Sequence, residues 1–172
     1  MLPWTQVHAA VVHFPIALLT VAPLLVLLGL CVPGQRRGLH TAALLLLVVG
    51  SLGALVAVAS GLGASPMAQG TPALRLAVAR HEGLAETAAT LFGALTVTFA
   101  VLHLLPWGNL GSGTGRAVTA LCLLWLLLAA GAMATLTLAA HVGGTMVHVL
   151  NIHGHPPPFL APRPAVPPLT RP

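Results

Sequence analysis

Four long apolar stretches dominate this sequence and leave little choice of fold. They run from about Ala10 to Leu30, Leu39 to Leu62, Gly83 to Leu105 and Ala117 to Val142, the last extending toward Ile152. Each is near the roughly 20 residues a helix needs to cross a bilayer core. Between them lie Pro33-Gly34-Gln35-Arg36-Arg37, the Gly63–Pro72 segment, and Pro106 with the Gly108–Gly115 segment. Only 5% of the residues are charged and 57% are hydrophobic. A chain so poor in charge cannot cover its own surface in water, so lipid is the expected solvent. The expected fold is all-α: a four-helix bundle integral to the membrane, over residues 1–155. Residues 156–172 contain eight prolines and are expected to form an extended or disordered tail.

Composition also excludes functions. The net charge of +5 comes from seven arginines scattered along the chain, so it does not point to nucleic acid. Cys31 and Cys122 form no CxxC or CxxCH, which argues against covalent haem attachment. The N-terminus has no positive region before its first apolar run, so a removable signal peptide is not expected. Aspartate is absent and Glu82 and Glu86 are the only carboxylates, which excludes a carboxylate-rich di-iron site. Ser51, Ser60, Ser65 and Ser112 lie outside any G-x-S-x-G context. The almost wholly apolar midplane argues against a transporter or channel. An electron carrier or structural subunit is therefore expected before an enzyme.

Four crossings put the N-terminus, the connection between the second and third helices, and the C-terminus on one side. Seven of the nine histidines share that side: His8, His13, His81, His141, His148, His153 and His155. His13, His81 and His141 stand near the membrane boundary of three different helices and form an inner layer. His8, His148 and His153 form an outer one. His148 follows His141 by seven residues, the same helical face about 10 Å further out. His40 and His103 fall on the opposite side and are expected to be structural.

Imidazoles on facing helices can hold haem iron, with one nitrogen on each side of the ring. A zinc or copper ion would instead want His13, His81 and His141 to converge, with Met67 or Met146 as soft accessories. The candidate metal ligands are thus His13, His81, His141 and His148. Arg75 and Arg80 are candidates for pairing with haem propionates, or else are interfacial anchors. Glu86, at the start of the third span, is a candidate to orient a histidine or carry protons, unless it reaches water. Gly53, Ala57 and Gly61 form a small-residue stripe on the second helix, enough for ordinary close packing. Pro15 and Pro23 are expected to kink the first helix. The Arg36-Arg37 pair tips the orientation toward both termini outside.

The run His8-Ala-Ala-Val-Val-His13-Phe-Pro-Ile-Ala-Leu resembles the opening of a bacterial membrane family catalogued as domain of unknown function 2231, which typically begins HP-x-x-VHFP-I-AL. His81 matches the histidine that opens that family's third helix. His141-Val-Gly143-Gly144-Thr-Met146-Val-His148 resembles its HxGGxLxHG variant. The resemblance spans residues 8 to 155 and implies a bacterial inner-membrane bundle associated with haem or respiratory electron transfer. Three departures stand out: Gly61-Leu62-Gly63 replaces an Asp-Trp pair, Val149 replaces a glycine, and His153-Gly154 falls late. Three readings follow. One is an electron-transfer subunit holding b-type haem and working with a redox partner. Another is a copper or zinc protein. The last is a non-catalytic subunit of a respiratory or photosynthetic complex.

Overall fold

The computed structural model describes residues 4–67, 71–104 and 114–150. Within them the chain forms helices α1 (Trp4–Val11), α2 (His13–Cys31), α3 (Arg36–Ala64), α4 (Pro72–Leu104) and α5 (Thr114–His148). Short 3-10 turns cover Pro33–Gln35 and Ser65–Met67. The first two helices act as one crossing, Trp4–Cys31, so four spans are long and apolar enough to cross a membrane. His153, His155 and the proline-rich tail lie outside the described residues.

The first crossing breaks at Val12, and its proline explains where. Pro15 has no N–H to give the carbonyl of Val11, one turn back. Val12 nonetheless keeps helical angles, and its N–H reaches the His8 carbonyl at 3.1 Å. The break is therefore slight.

The helices outrun the hydropathy. The third apolar stretch begins near Gly83, yet α4 begins at Pro72. Pro72 stands first in the helix, where a missing N–H costs nothing. Just before it, the Thr71 hydroxyl accepts the Leu74 N–H at 3.3 Å. Those 33 residues span about 50 Å, against a hydrocarbon core of about 30 Å. Arg75, Arg80, His81 and Glu82 thus ride on a helix rather than a loop.

Inside the bundle, α2 packs on α3, α3 on α4, α4 on α5, and α2 also meets α5. The core is Leu19, Ala22 and Val26 of α2, Ala43 and Leu47 of α3, Phe92, Leu95 and Phe99 of α4, and Trp125, Ala129 and Ala132 of α5. Trp125 is the one core side chain with a polar tip, and its indole N–H is satisfied by the Leu95 carbonyl at 2.9 Å. Glycine sets the closest approach of α2 and α3. A Cβ on Gly50 would lie 2.8 Å from Leu19 Cδ2. Leucines and valines ring the outside, as a lipid-facing surface requires.

Candidate functional site

Position along a helix sets a residue's height, but its rotation about the axis decides whether it faces the bundle. On α2 the buried residues are Pro15, Leu19, Ala22 and Val26, a stripe with helical spacing. Extended back through the slight break, that stripe meets His8, seven residues before Pro15. His13 lies off it. The structure accordingly leaves His13 exposed, with its Nδ1–H on the Ala9 carbonyl of its own helix wall at 3.1 Å. On α5, Trp125, Ala132, Ala139 and Met146 recur every seven residues and are all buried. His141 and His148 each sit two residues past a member of that stripe, roughly 200° around the helix. Both are exposed.

His8 and His81 point inward and meet. Their ring centroids lie 6.3 Å apart with planes at 88°. His8 Nδ1 is 3.0 Å from the Ala57 carbonyl of α3 and 3.1 Å from Ser60 Oγ. His81 Nδ1 is 2.9 Å from the Ala139 carbonyl of α5. A carbonyl only accepts, so Nδ1 carries the proton in both rings. In the neutral imidazoles Nε2 is then the nitrogen with the lone pair. An Nδ1–H held by a backbone carbonyl is the usual support of a metal-binding histidine, because it fixes both tautomer and orientation.

The small residues of α3 and α5 make these seats. A Cβ on Gly61 would fall 3.1 Å from His8 Cε1, and one on Gly143 would fall 3.2 Å from His81 Cε1. Gly53 meets Pro15, and Gly63 meets the Trp4 indole. The Gly53-Ala57-Gly61 stripe is thus more than packing, since it brings α1 close enough for His8 to reach a backbone carbonyl. Four helices contribute: α1 and α4 supply the rings, α3 and α5 supply the acceptors.

The remaining candidates are scattered. Arg75, Arg80 and Glu86 are exposed on α4. Glu82, beside His81, is partly buried, and its Oε1 is enclosed without a hydrogen-bond partner. Met146 is buried on α5, while the Met67 side chain lies outside the described residues. Among the described residues, no three of His, Cys, Asp and Glu come together as a metal-binding group, so His13, His81 and His141 do not converge. Sequence reasoning missed the partnership of His8 with His81.

These features define a multi-pass α-helical membrane protein with an inward-facing pair of histidines near one face. The chain belongs to the family described as predicted membrane protein, DUF2231, whose match covers residues 5–156. No curated protein and no solved structure matches it.

Proposed function

We propose that this protein is a membrane electron-transfer subunit that holds a b-type haem between His8 and His81. The observation that carries the reading is the pair itself: two imidazoles from different helices, each tied through Nδ1–H to a carbonyl on a further helix. The 6.3 Å ring separation is close to what a single iron held by both rings would require. Two metal–nitrogen bonds of about 2.0 Å, plus about 1.1 Å from each nitrogen to its ring centre, give roughly 6 Å. Two histidines are the full axial set of a haem, whereas a zinc site takes three or four protein ligands.

A bound haem would supply a one-electron couple. The chain's own groups would do the rest. His8 and His81 would hold the iron, and the carbonyls of Ala57 and Ala139 would keep both nitrogens basic. Arg75 and Arg80, six residues and one residue before His81, would meet the propionates at the membrane boundary. Glu86 is exposed and would act on the site only from its rim. We place the protein in a bacterial inner membrane with its termini in the periplasm, following the Arg36-Arg37 pair. A redox protein docking at the histidine face would exchange the electron.

The test is an absorption spectrum of protein purified after haem-replete expression, oxidised and dithionite-reduced. A Soret band and a sharpened α band are expected, lost in His8→Ala and His81→Ala and kept in His13→Ala and His141→Ala. No Soret band, or loss of haem only with His13 and His141, would overturn the proposal. Stoichiometric copper or zinc without haem would favour a metal site instead.

A further inference from the structure

The opposite end of the bundle holds a second histidine pair. His40 lies on the second turn of α3 and is buried, at 7% exposure. His103 lies on the last turn of α4. Their ring centroids are 6.4 Å apart, with planes at 61°. On α4, His81 and His103 are 22 residues apart, about six full turns, so one face of this helix presents a histidine at two levels.

Hydrogen bonding fixes which nitrogen each ring keeps. His40 Nε2–H donates to the Val26 carbonyl at 3.3 Å. The Thr41 hydroxyl gives its own proton to the Arg37 carbonyl at 2.9 Å, so its oxygen accepts from His103 Nε2–H at 3.0 Å. Both neutral rings therefore keep Nδ1 as the lone pair. Gly29 is part of the seat, because a Cβ there would lie 2.5 Å from His40 Cδ2.

Phe99 decides what could sit between the rings. Its ring centroid is 5.6 Å from that of His40 and 6.3 Å from that of His103. With the imidazoles 6.4 Å apart, the three rings form a nearly equilateral triangle. Phe99 then stands about 5 Å from the midpoint of the pair, within the footprint of a tetrapyrrole whose carbons reach roughly as far from the iron. A haem would collide with Phe99, and a bare ion would not.

We propose that His40 and His103 bind one copper(I) ion through their Nδ1 atoms, a site separate from the His8–His81 pair. Imidazole nitrogen suits copper, and a d10 monovalent ion accepts just two ligands. Zinc would need three or four protein ligands, and the described residues offer no third His, Cys, Asp or Glu there. Charge points the same way. Arg36 and Arg37 precede His40 by four and three residues on the same helix face, and no carboxylate lies on this side of the chain. A divalent ion in that apolar, already positive setting would be costlier than a monovalent one.

The experiment is an anaerobic titration of the purified full chain with copper(I) against a chromophoric copper(I) chelator. It uses a Cys31→Ser, Cys122→Ser background, so that thiolates do not compete. About one equivalent should be retained against the chelator. His103→Leu should abolish it. Thr41→Val, which spares both rings but removes the acceptor that orients His103, should weaken it 10- to 100-fold. His8→Ala and His81→Ala should leave it unchanged. X-ray absorption should show two nitrogen ligands and no sulfur. Size-exclusion and circular dichroism profiles matching the parent confirm that a variant is folded. Failure of the parent to retain copper, retention by folded His103→Leu, loss with His8→Ala, or sulfur ligation would each overturn the proposal.

Discussion

The two ends of this bundle use the same device and differ in whether an aromatic ring stands beside it. At one end His8 and His81 meet with glycines behind them, Gly61 on α3 and Gly143 on α5. At the other, His40 and His103 meet against Phe99, which is 1% exposed, and a neighbouring Trp125. Both pairs are oriented by hydrogen bonds through one nitrogen, but through Nδ1 at the first end and Nε2 at the second. A histidine pair alone does not specify a ligand. Phe99, standing beside both rings at the second end, limits what can enter there to something small. Substitutions at either end test this difference.

The largest effect is expected at Gly29. An alanine there places its Cβ against a buried imidazole with no room to turn, since His40 is held by the Val26 carbonyl and flanked by Phe99. Overpacking of this kind costs about 1–3 kcal/mol, against roughly 1 kcal/mol of helix propensity gained. Gly29→Ala should lower the midpoint of thermal unfolding in detergent and displace His40. Gly38→Ala on α3, whose Cβ would have nothing within 4 Å, should not lower it. Equal stability of the two variants would mean that the His40 end is loosely packed.

A smaller, local effect separates two adjacent glycines. A Cβ on Gly143 meets the His81 ring, at 3.2 Å from Cε1 and 3.4 Å from Nδ1, whereas one on Gly144 meets nothing within 4 Å. Gly143→Val should push His81 off the Ala139 carbonyl and reduce haem content several-fold, with the protein still folded. Gly144→Ala should retain the parent spectrum. Reversed outcomes would show that the Gly-Gly step acts on something other than His81.

How far the sequence revealed this follows from the same geometry. The four spans were legible because lipid demands long apolar helices whatever their packing. The ends were less so: α4 starts at Pro72 because Thr71 and Pro72 begin a helix well, which hydropathy does not register. Within the site, His81 was legible by its height. Depth alone ranks His8 as an outer residue and His13 as an inner one. They are five residues apart, about 140° around a helix, so they cannot both face the bundle. α2 is apolar nearly all round, which gives hydropathy no way to choose between its faces. The clue was the small residues: Gly53, Ala57 and Gly61 on α3, and Ala132, Ala139 and Gly143 on α5, mark where helices approach. His40 and His103 fall on the side opposite the other seven histidines, and the sequence does not show that they meet; α3 and α4 run antiparallel and bring them together.

The smallest expected effect tests how firmly each end holds its tautomers. Ser60 is 2% exposed, and its hydroxyl shares His8 Nδ1 with the Ala57 carbonyl, to which it also donates at 2.9 Å. Ser60→Ala removes the hydroxyl and leaves the carbonyl, 3.0 Å from the same nitrogen. A backbone acceptor cannot be deleted by substitution, so His8 should keep its tautomer and its ligand. The stability loss should be about 1 kcal/mol or less, typical of one side-chain hydrogen bond between membrane helices. At the other end His103 has its Nε2–H on a side chain, Thr41, where substitution does reach the acceptor. Ser60→Ala should therefore retain its Soret band where Thr41→Val loses copper affinity. If Ser60→Ala instead loses haem as fully as His8→Ala, the hydroxyl rather than the Ala57 carbonyl fixes the ring, and the two ends are anchored alike.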